Sequence, residues 1–186
     1  LEPIELGRVI SQSELILQRR EWKRNGKRVV FARGVFDLLH PGHIRLLEQA
    51  RSKGDILVVG IPSDASVRAA FAAADTKRRD GVRRTGEAAQ SLAMERPITP
   101  AAERAEILAA LEAVDFVTEF EEASPHALLT ALQPEVQVKG GGKSMDSASQ
   151  GEDAAAEAAG IRTVYVPLEP GFSTTSLLQR IQQLRA

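Results

Sequence analysis

Short β-rich runs alternate with amphipathic helical segments along this chain, and no other property restricts its fold as much. Val29-Val30-Phe31-Ala32 is followed by a helical pattern over about 42–53, in which Ile44, Leu46, Leu47 and Ala50 share a face before Gly54 closes it. Residues 56–61 form a continuous apolar run, the kind buried on both faces of a parallel sheet. The alternation continues with a helix near 101–113, a strand near 116–117, a helix near 125–132 and a strand at 136–138. A helix around 152–159, a strand at 161–166 and a last helix over 174–184 complete it. Five strands alternating with helices predict an α/β fold, a parallel five-stranded sheet with helices on both faces. Ligands of such sheets bind at the carboxyl ends of the strands, where the strand order reverses. The strand-to-helix loops, and the first above all, are therefore the candidate site.

Ahead of the first strand, 9–24 reads as a helix. Its Arg19, Arg20, Lys23 and Arg24 gather late, facing the negative end of the helix dipole, and Asn25-Gly26 stops it. This gives an N-terminal helical arm, 1–26, and one α/β domain, 27–186. The rhythm breaks only over about 69–93, Ala-rich and then basic from Lys77 to Arg84, with no clear strand. An inserted basic loop is expected there, either a surface excursion or a flap over an anionic ligand.

Composition narrows the function. A length of 186 residues suits one domain. The 24 Lys and Arg against 25 Asp and Glu exclude a sequence-independent nucleic-acid binder, which needs uncompensated cations. Aromatic residues make up 4% of the chain, too few for base-stacking platforms. The absence of cysteine excludes disulfides, thiolate metal sites and cysteine nucleophiles, and predicts a reducing compartment, the cytoplasm. No apolar run approaches the ~20 residues that cross a bilayer, so no membrane partner is expected. The start, Leu1-Glu2-Pro3, lacks the basic and apolar regions of a signal peptide; without an initiator Met, the chain is expected to be cut from a longer one.

Three loops favour anions. In Gly34-Val35-Phe36-Asp37-Leu38-Leu39-His40-Pro41-Gly42-His43, two of the three histidines of the chain fall within four residues, between a strand and a helix that Pro41 and Gly42 suit as an entrance. A helix N-terminus offers unpaired N–H groups and a positive dipole end. Two imidazoles there add donors able to carry charge near neutral pH, and Gly34 lets backbone approach a phosphate. A zinc site needs three or four ligands, and with no cysteine and His126 far away in sequence Asp37 would have to join His40 and His43; imidazoles satisfying loop carbonyls are the other alternative. The glycine spacing is not that of a dinucleotide fingerprint.

The second loop is Val138-Lys139-Gly140-Gly141-Gly142-Lys143-Ser144. A P-loop would require glycine where Gln137 stands, which leaves a glycine-rich phosphate cradle with Lys139, or an ordinary turn. The third, Gly171-Phe172-Ser173-Thr174-Thr175, opens the last helix with capping residues, and Ser176 with Gln179 has the spacing of a capping box. Beside the other two loops, its hydroxyls and N–H groups could hold a triphosphate. Cations at Arg33, 77–84, Lys139 and Lys143 are expected around it.

The stretch from Gly34 to His43, together with Ser173-Thr174-Thr175, resembles the cytidylyltransferase-like nucleotidyltransferases, whose signatures are the HxGH histidines and a Ser/Thr-rich start to the C-terminal helix. Arg96-Pro97, Glu103-Arg104, residues 110–115, Ser124-Pro125 and residues 138–141 look most like the adenylyltransferase domains of ADP-heptose synthases, and the resemblance covers most of the chain. It implies a Rossmann-like sheet, with 27–186 as the nucleotidyltransferase domain. The implied reaction transfers AMP from ATP to a sugar phosphate, such as a heptose 1-phosphate, or to a polyol phosphate, with release of pyrophosphate.

In this resemblance His40, His43 and Lys139 are catalytic. Gly34, Val35, Phe36, Gly42, Gly140, Gly141, Ser173, Thr174 and Thr175 bind the nucleotide. Asp37 and Arg104 orient the substrates. Lys77 would replace the lysine that relatives carry soon after the segment matching Ser66-Val67-Arg68. Mg2+ is expected with ATP rather than on protein ligands, and the assembly expected is a homodimer. A CTP-using enzyme of the glycerol-3-phosphate type and a catalytically weak nucleotide-binding homologue are the alternatives. Against the first, Pro167-Leu168-Glu169-Pro170 lacks the arginine expected in that relative.

Overall fold

The computed structural model describes residues 6–81, 96–122, 124–142 and 147–184, with the side chains of 74–81 and 147–150 outside the description. Its elements follow in chain order as β1 (Arg8–Val9), α1 (Gln12–Arg24), β2 (Val29–Arg33), α2 (Pro41–Arg51), β3 (Ile56–Pro62), α3 (Asp64–Gly81) and α4 (Ala101–Ala109). The second half adds β4 (Phe116–Phe120), α5 (His126–Leu132), β5 (Val136–Gly140), α6 (Ser147–Ala158), β6 (Arg162–Val166) and α7 (Thr174–Gln183). The strands form one parallel sheet in the order β1-β4-β3-β2-β5-β6. From β2 the chain winds outward through β3 to β4, then returns to the other side of β2 to lay down β5 and β6. The reversal therefore falls between β2 and β5, whose carboxyl ends carry the first two anion-favouring loops.

The expected α/β architecture is present, with six strands among the described residues where five were expected. The additional strand is the two-residue β1, which pairs Arg8 with Phe116 and Val9 with Val117 at the sheet edge. A strand so short has no period to read. Val9 therefore belongs to the sheet, and the helix begins at Gln12 behind a capping box in which Ser11 and Glu14 exchange hydrogen bonds.

A second difference lies after β3. The helix α3 runs to Gly81 through most of what the sequence suggested as an inserted loop. Its Ala-rich sequence has the highest intrinsic helix propensity, and Asp64 in the first turn complements the helix dipole. Lys77 thus lies on a helix, with its side chain outside the described residues, as are 82–95 entirely.

Successive strand residues point to opposite faces, so the sheet sits between two apolar layers. Val30, Ala32, Leu57, Val59 and Ile61 meet Leu47 and Ala50 of α2 and Ala105 and Leu108 of α4 on one face. Val29, Phe31 and Val58 meet Leu15 and Trp22 of α1 and Leu128, Leu129 and Leu132 of α5 on the other. Each fully buried Val, Leu, Ile or Phe among them contributes about 1.5–3 kcal/mol relative to exposure. The helix expected as an arm is thus packed against the sheet. Arg19 fastens it further, donating to the carbonyls of Leu132 and Gln133 and to the Glu135 carboxylate at 2.6 Å.

Candidate active site

The loop leaving β2 is held by buried charges. Phe36 takes a left-handed backbone conformation (φ 50°), which turns the chain sharply while its ring stays in the core. Asp37, buried beside it, accepts from Arg96 at 2.6 Å and from the backbone N–H groups of Ile98 and Thr99. Arg104, fully buried on α4, donates to the carbonyls of Val35, Pro62 and Thr99 and to Asp64 at 2.7 Å. These contacts direct Asp37 and Arg104 into the scaffold of the loop, and neither lines the adjacent cavity.

His40 caps α2 from an extended backbone, and its ring stacks on that of His43 with centroids 3.7 Å apart and planes 20° from parallel. Phe36 meets His43 edge-on at 5.1 Å. The Nδ1 atoms of both histidines are buried without a hydrogen-bond partner. Burial, and secondarily the charge of His40, lowers the His43 imidazole to about 4; burial lowers His40 as well. The expectation of imidazoles able to carry charge near neutral pH is corrected here. In the ligand-free structure packing keeps His43 neutral, and a charged form requires a counter-ion.

The third anion-favouring loop arrives at the same place. A side chain on Gly42 would stand 3.1 Å from His40 Nδ1 and 3.4 Å from the Phe172 Cβ, so glycine there permits the β6–α7 loop to approach α2. Arg45 draws that loop in, pairing with Glu169 at 2.6 Å and lying 5.6 Å from the Phe172 ring centre. Ser173 then caps α7, accepting from the Ser176 N–H at 3.0 Å, with Thr174 half-buried and Thr175 exposed in the first turn. The N-termini of α2 and α7, each a positive dipole end, thus lie beside one histidine pair; in the first turn of α2 the Gly42 N–H is left to bind an anion, since Pro41 has none and the His43 N–H donates to the His40 carbonyl.

Next to them, a cavity of about 390 Å3 opens at the carboxyl ends of the central strands. Gly34, Val35, Lys139 and Gly140 line it, with Arg33 and Tyr165, while Val67, Ala70, Phe71 and Phe120 form an apolar wall. His40 borders a separate, more open depression with Leu39, Pro41 and Arg45. Gly141, at φ 97°, turns the chain out of β5 while its N–H donates to the Val166 carbonyl.

Lys139, expected to face a phosphate, is paired with two carboxylates. Its ammonium pairs with Glu152 at 2.6 Å and Asp153 at 2.7 Å, both on α6. Glu152 and Asp153 carry no local motif; a carboxylate facing i−13 across a strand–helix connection shows only in three dimensions. Lys143 lies outside the described residues. Among the described residues no group of three or more His, Cys, Asp or Glu could hold a metal ion, and no helix is long and apolar enough to cross a membrane.

Comparison with known proteins agrees with this geometry. Residues 31–79, which span β2, α2, β3 and most of α3, match the cytidylyltransferase-like family. The chain is 42% identical over 173 residues to the bifunctional protein HldE of Rhodopseudomonas palustris (strain HaA2), covering 93% of this chain and 31% of that protein. It is 39% identical over 178 residues to the bifunctional protein HldE of Koribacter versatilis, covering 96% of this chain and 32% of that one. The chain therefore spans about a third of the length of the curated relatives it matches. Among solved structures, the lipopolysaccharide core biosynthesis protein of Thermoplasma volcanium superposes with a TM-score of 0.52 at 25% identity, over 77% of this chain and 98% of that one. The resemblance first carried by His40, His43 and Ser173-Thr174-Thr175 is borne out.

Proposed function

We propose, from the premise that residues 31–79 belong to the cytidylyltransferase-like family, that this chain is a nucleotidyltransferase that moves AMP from ATP to a sugar phosphate such as a heptose 1-phosphate. A phosphate oxygen of the acceptor bonds to the α-phosphorus of ATP. The bond from that phosphorus to the bridging β-oxygen breaks, and pyrophosphate leaves with the electron pair. The nucleophile is already an oxyanion, so the reaction needs neither a general base nor a protein nucleophile. Repulsion between anions is the obstacle, about 4 kcal/mol per pair of unit charges at 4 Å and an effective dielectric near 20. Fixed donors and positioning supply the rate.

The observation that carries this reading is the meeting of two helix N-termini at the stacked pair His40–His43, with a cavity nearby to which Arg33 and Lys139 contribute. The Gly42 N–H and the N–H groups that open α7, with Ser173, Thr174 and Thr175, would take the triphosphate, and His40 and His43 the charge on the transferring group. Gly34, Gly140 and Gly141 would let the nucleotide approach the backbone, Lys139 would face the acceptor phosphate, and Lys77 would take the part of the lysine that relatives carry. Mg2+ enters bound to the ATP phosphates as part of the substrate, its charge neutralising theirs. As in many assemblies of this kind, a twofold-symmetric dimer is the expected form.

A pyrophosphate-release assay pairing ATP or CTP with sugar 1-phosphates and polyol phosphates tests the reading. Release with ATP and a sugar 1-phosphate is expected; no release with any pair overturns it. In the same assay His43→Ala should lower turnover by on the order of 10²–10³ while the far-UV circular dichroism is unchanged, the usual effect of one lost preorganised donor.

A further inference from the structure

We propose that Glu152 is a positioning residue for the acceptor: one of its carboxylate oxygens gathers Arg33 from β2 and Lys139 from β5, and so presents the two cations together to a single anionic group in the cavity. The inference rests on the nucleotidyl-transfer reading and adds to it the means by which the acceptor phosphate is held.

The geometry is specific. Arg33 Nη2 and Lys139 Nζ each lie 2.6 Å from the same oxygen, Glu152 Oε2. The other oxygen accepts from Ser124 Oγ, on the loop after β4. Asp153, one residue on, takes a second Lys139 N–H, and its remaining oxygen accepts from the Tyr165 phenol. The Glu152 side chain is 7% exposed, and that of Lys139 is 11% exposed. Burial pushes the Glu152 carboxyl up, but the hydrogen bonds from Lys139 and Ser124 and the charges of Arg33 and Lys139 outweigh it and hold the group below the usual carboxylate range.

The carboxylates of Glu152 and Asp153 offset the like charges of Arg33 and Lys139, which lets the two cations stand side by side. Neither cation is exhausted by its carboxylate partners. An ammonium has three N–H donors and a guanidinium five, and Lys139 uses two on Glu152 and Asp153 while Arg33 uses one on Glu152. The remaining donors can turn to a phosphate while Glu152 keeps its hold. Arg33, Lys139 and Tyr165 all line the cavity, and the apolar wall of Val67, Ala70, Phe71 and Phe120 suits the carbon skeleton of a small organic phosphate. The triphosphate has its own donors at the starts of α2 and α7, so Arg33 and Lys139 serve the second substrate.

Calorimetric affinities for heptose 1-phosphate and for ATP, with thermal midpoints, test this on wild type, Glu152→Gln, Lys139→Met, and the double variant Lys139→Met with Glu152→Gln. Glu152→Gln should weaken heptose 1-phosphate binding at least tenfold, shift ATP affinity less than twofold and lower the midpoint. The double variant leaves Asp153 without its lysine, so its midpoint should recover only in part, and measured against Lys139→Met alone the added Glu152→Gln should cost much less than the roughly tenfold it costs in wild type. It also keeps the test decisive if the single variant fails to fold. Recovery of affinity together with midpoint would show the pair to be structural only and overturn the proposal. Equal losses for ATP and heptose 1-phosphate, or no binding of heptose 1-phosphate to wild type, would overturn it too. A wild type that binds both ligands yet releases no pyrophosphate retires nucleotidyl transfer instead, and leaves Glu152 to be judged on these affinities.

Discussion

His40 and His43 are stacked rings whose Nδ1 atoms have lost water and gained no partner, and their environment favours the neutral form. A triphosphate beside them reverses that preference, because an adjacent anion stabilises imidazolium. Nucleotide binding should therefore take up protons. Calorimetry of ATP binding at pH 7 in two buffers of different ionisation enthalpy should give a buffer-dependent heat, and His43→Gln should remove most of the difference. The ligand-free protein should show the converse. With the folded value of His43 near 4 and the unfolded value near 6.5, its contribution to stability is complete above about pH 6.5, lost progressively as pH falls towards 4, and constant below. The thermal midpoint of wild type should therefore fall more steeply over that window than that of His43→Gln. The positions of these histidines were legible in the sequence because the His-x-x-His spacing at a helix entrance is local. Their charge was not, since it depends on Phe36 and on burial that no spacing encodes.

At the scale of elements, the two helix N-termini depend on small residues. Ser173 satisfies an N–H of α7, and replacing it with Ala should lower stability by about 1 kcal/mol in urea unfolding. Gly42→Ala should leave α2 intact but crowd His40 and Phe172, raising the KM for ATP about tenfold with a smaller change in kcat. Most elements could be read from the sequence because short continuous apolar runs and the helical period of 3.6 separate cleanly in 29–62 and 101–184. Two could not. β1 is two residues long and takes its conformation from pairing with β4, and the basic tail of α3 has composition but no apolar stripe to fix a period. Glu152 and Asp153 stayed hidden for a related reason, since α6 gives their place along the helix but not the strand ends they reach.

Across the whole molecule, Arg104 joins the loops after β2 and β3 to the segment entering α4. Arg104→Met should cost about 3–5 kcal/mol in chemical denaturation, since it strands three carbonyls and Asp64 without their donor. The milder change Arg104→Lys should retain only part of this, because an ammonium lacks the planar fork that reaches several acceptors at once. The approach of Phe172 to Gly42 has a consequence in time as well as in space. Gly42 lies on α2 and Phe172 on the loop before α7, so during synthesis strands β1 to β6 can be in place before the loop that packs on the histidine side has been fixed. The two sides meet only when α7 has folded back against the loop that leaves β2.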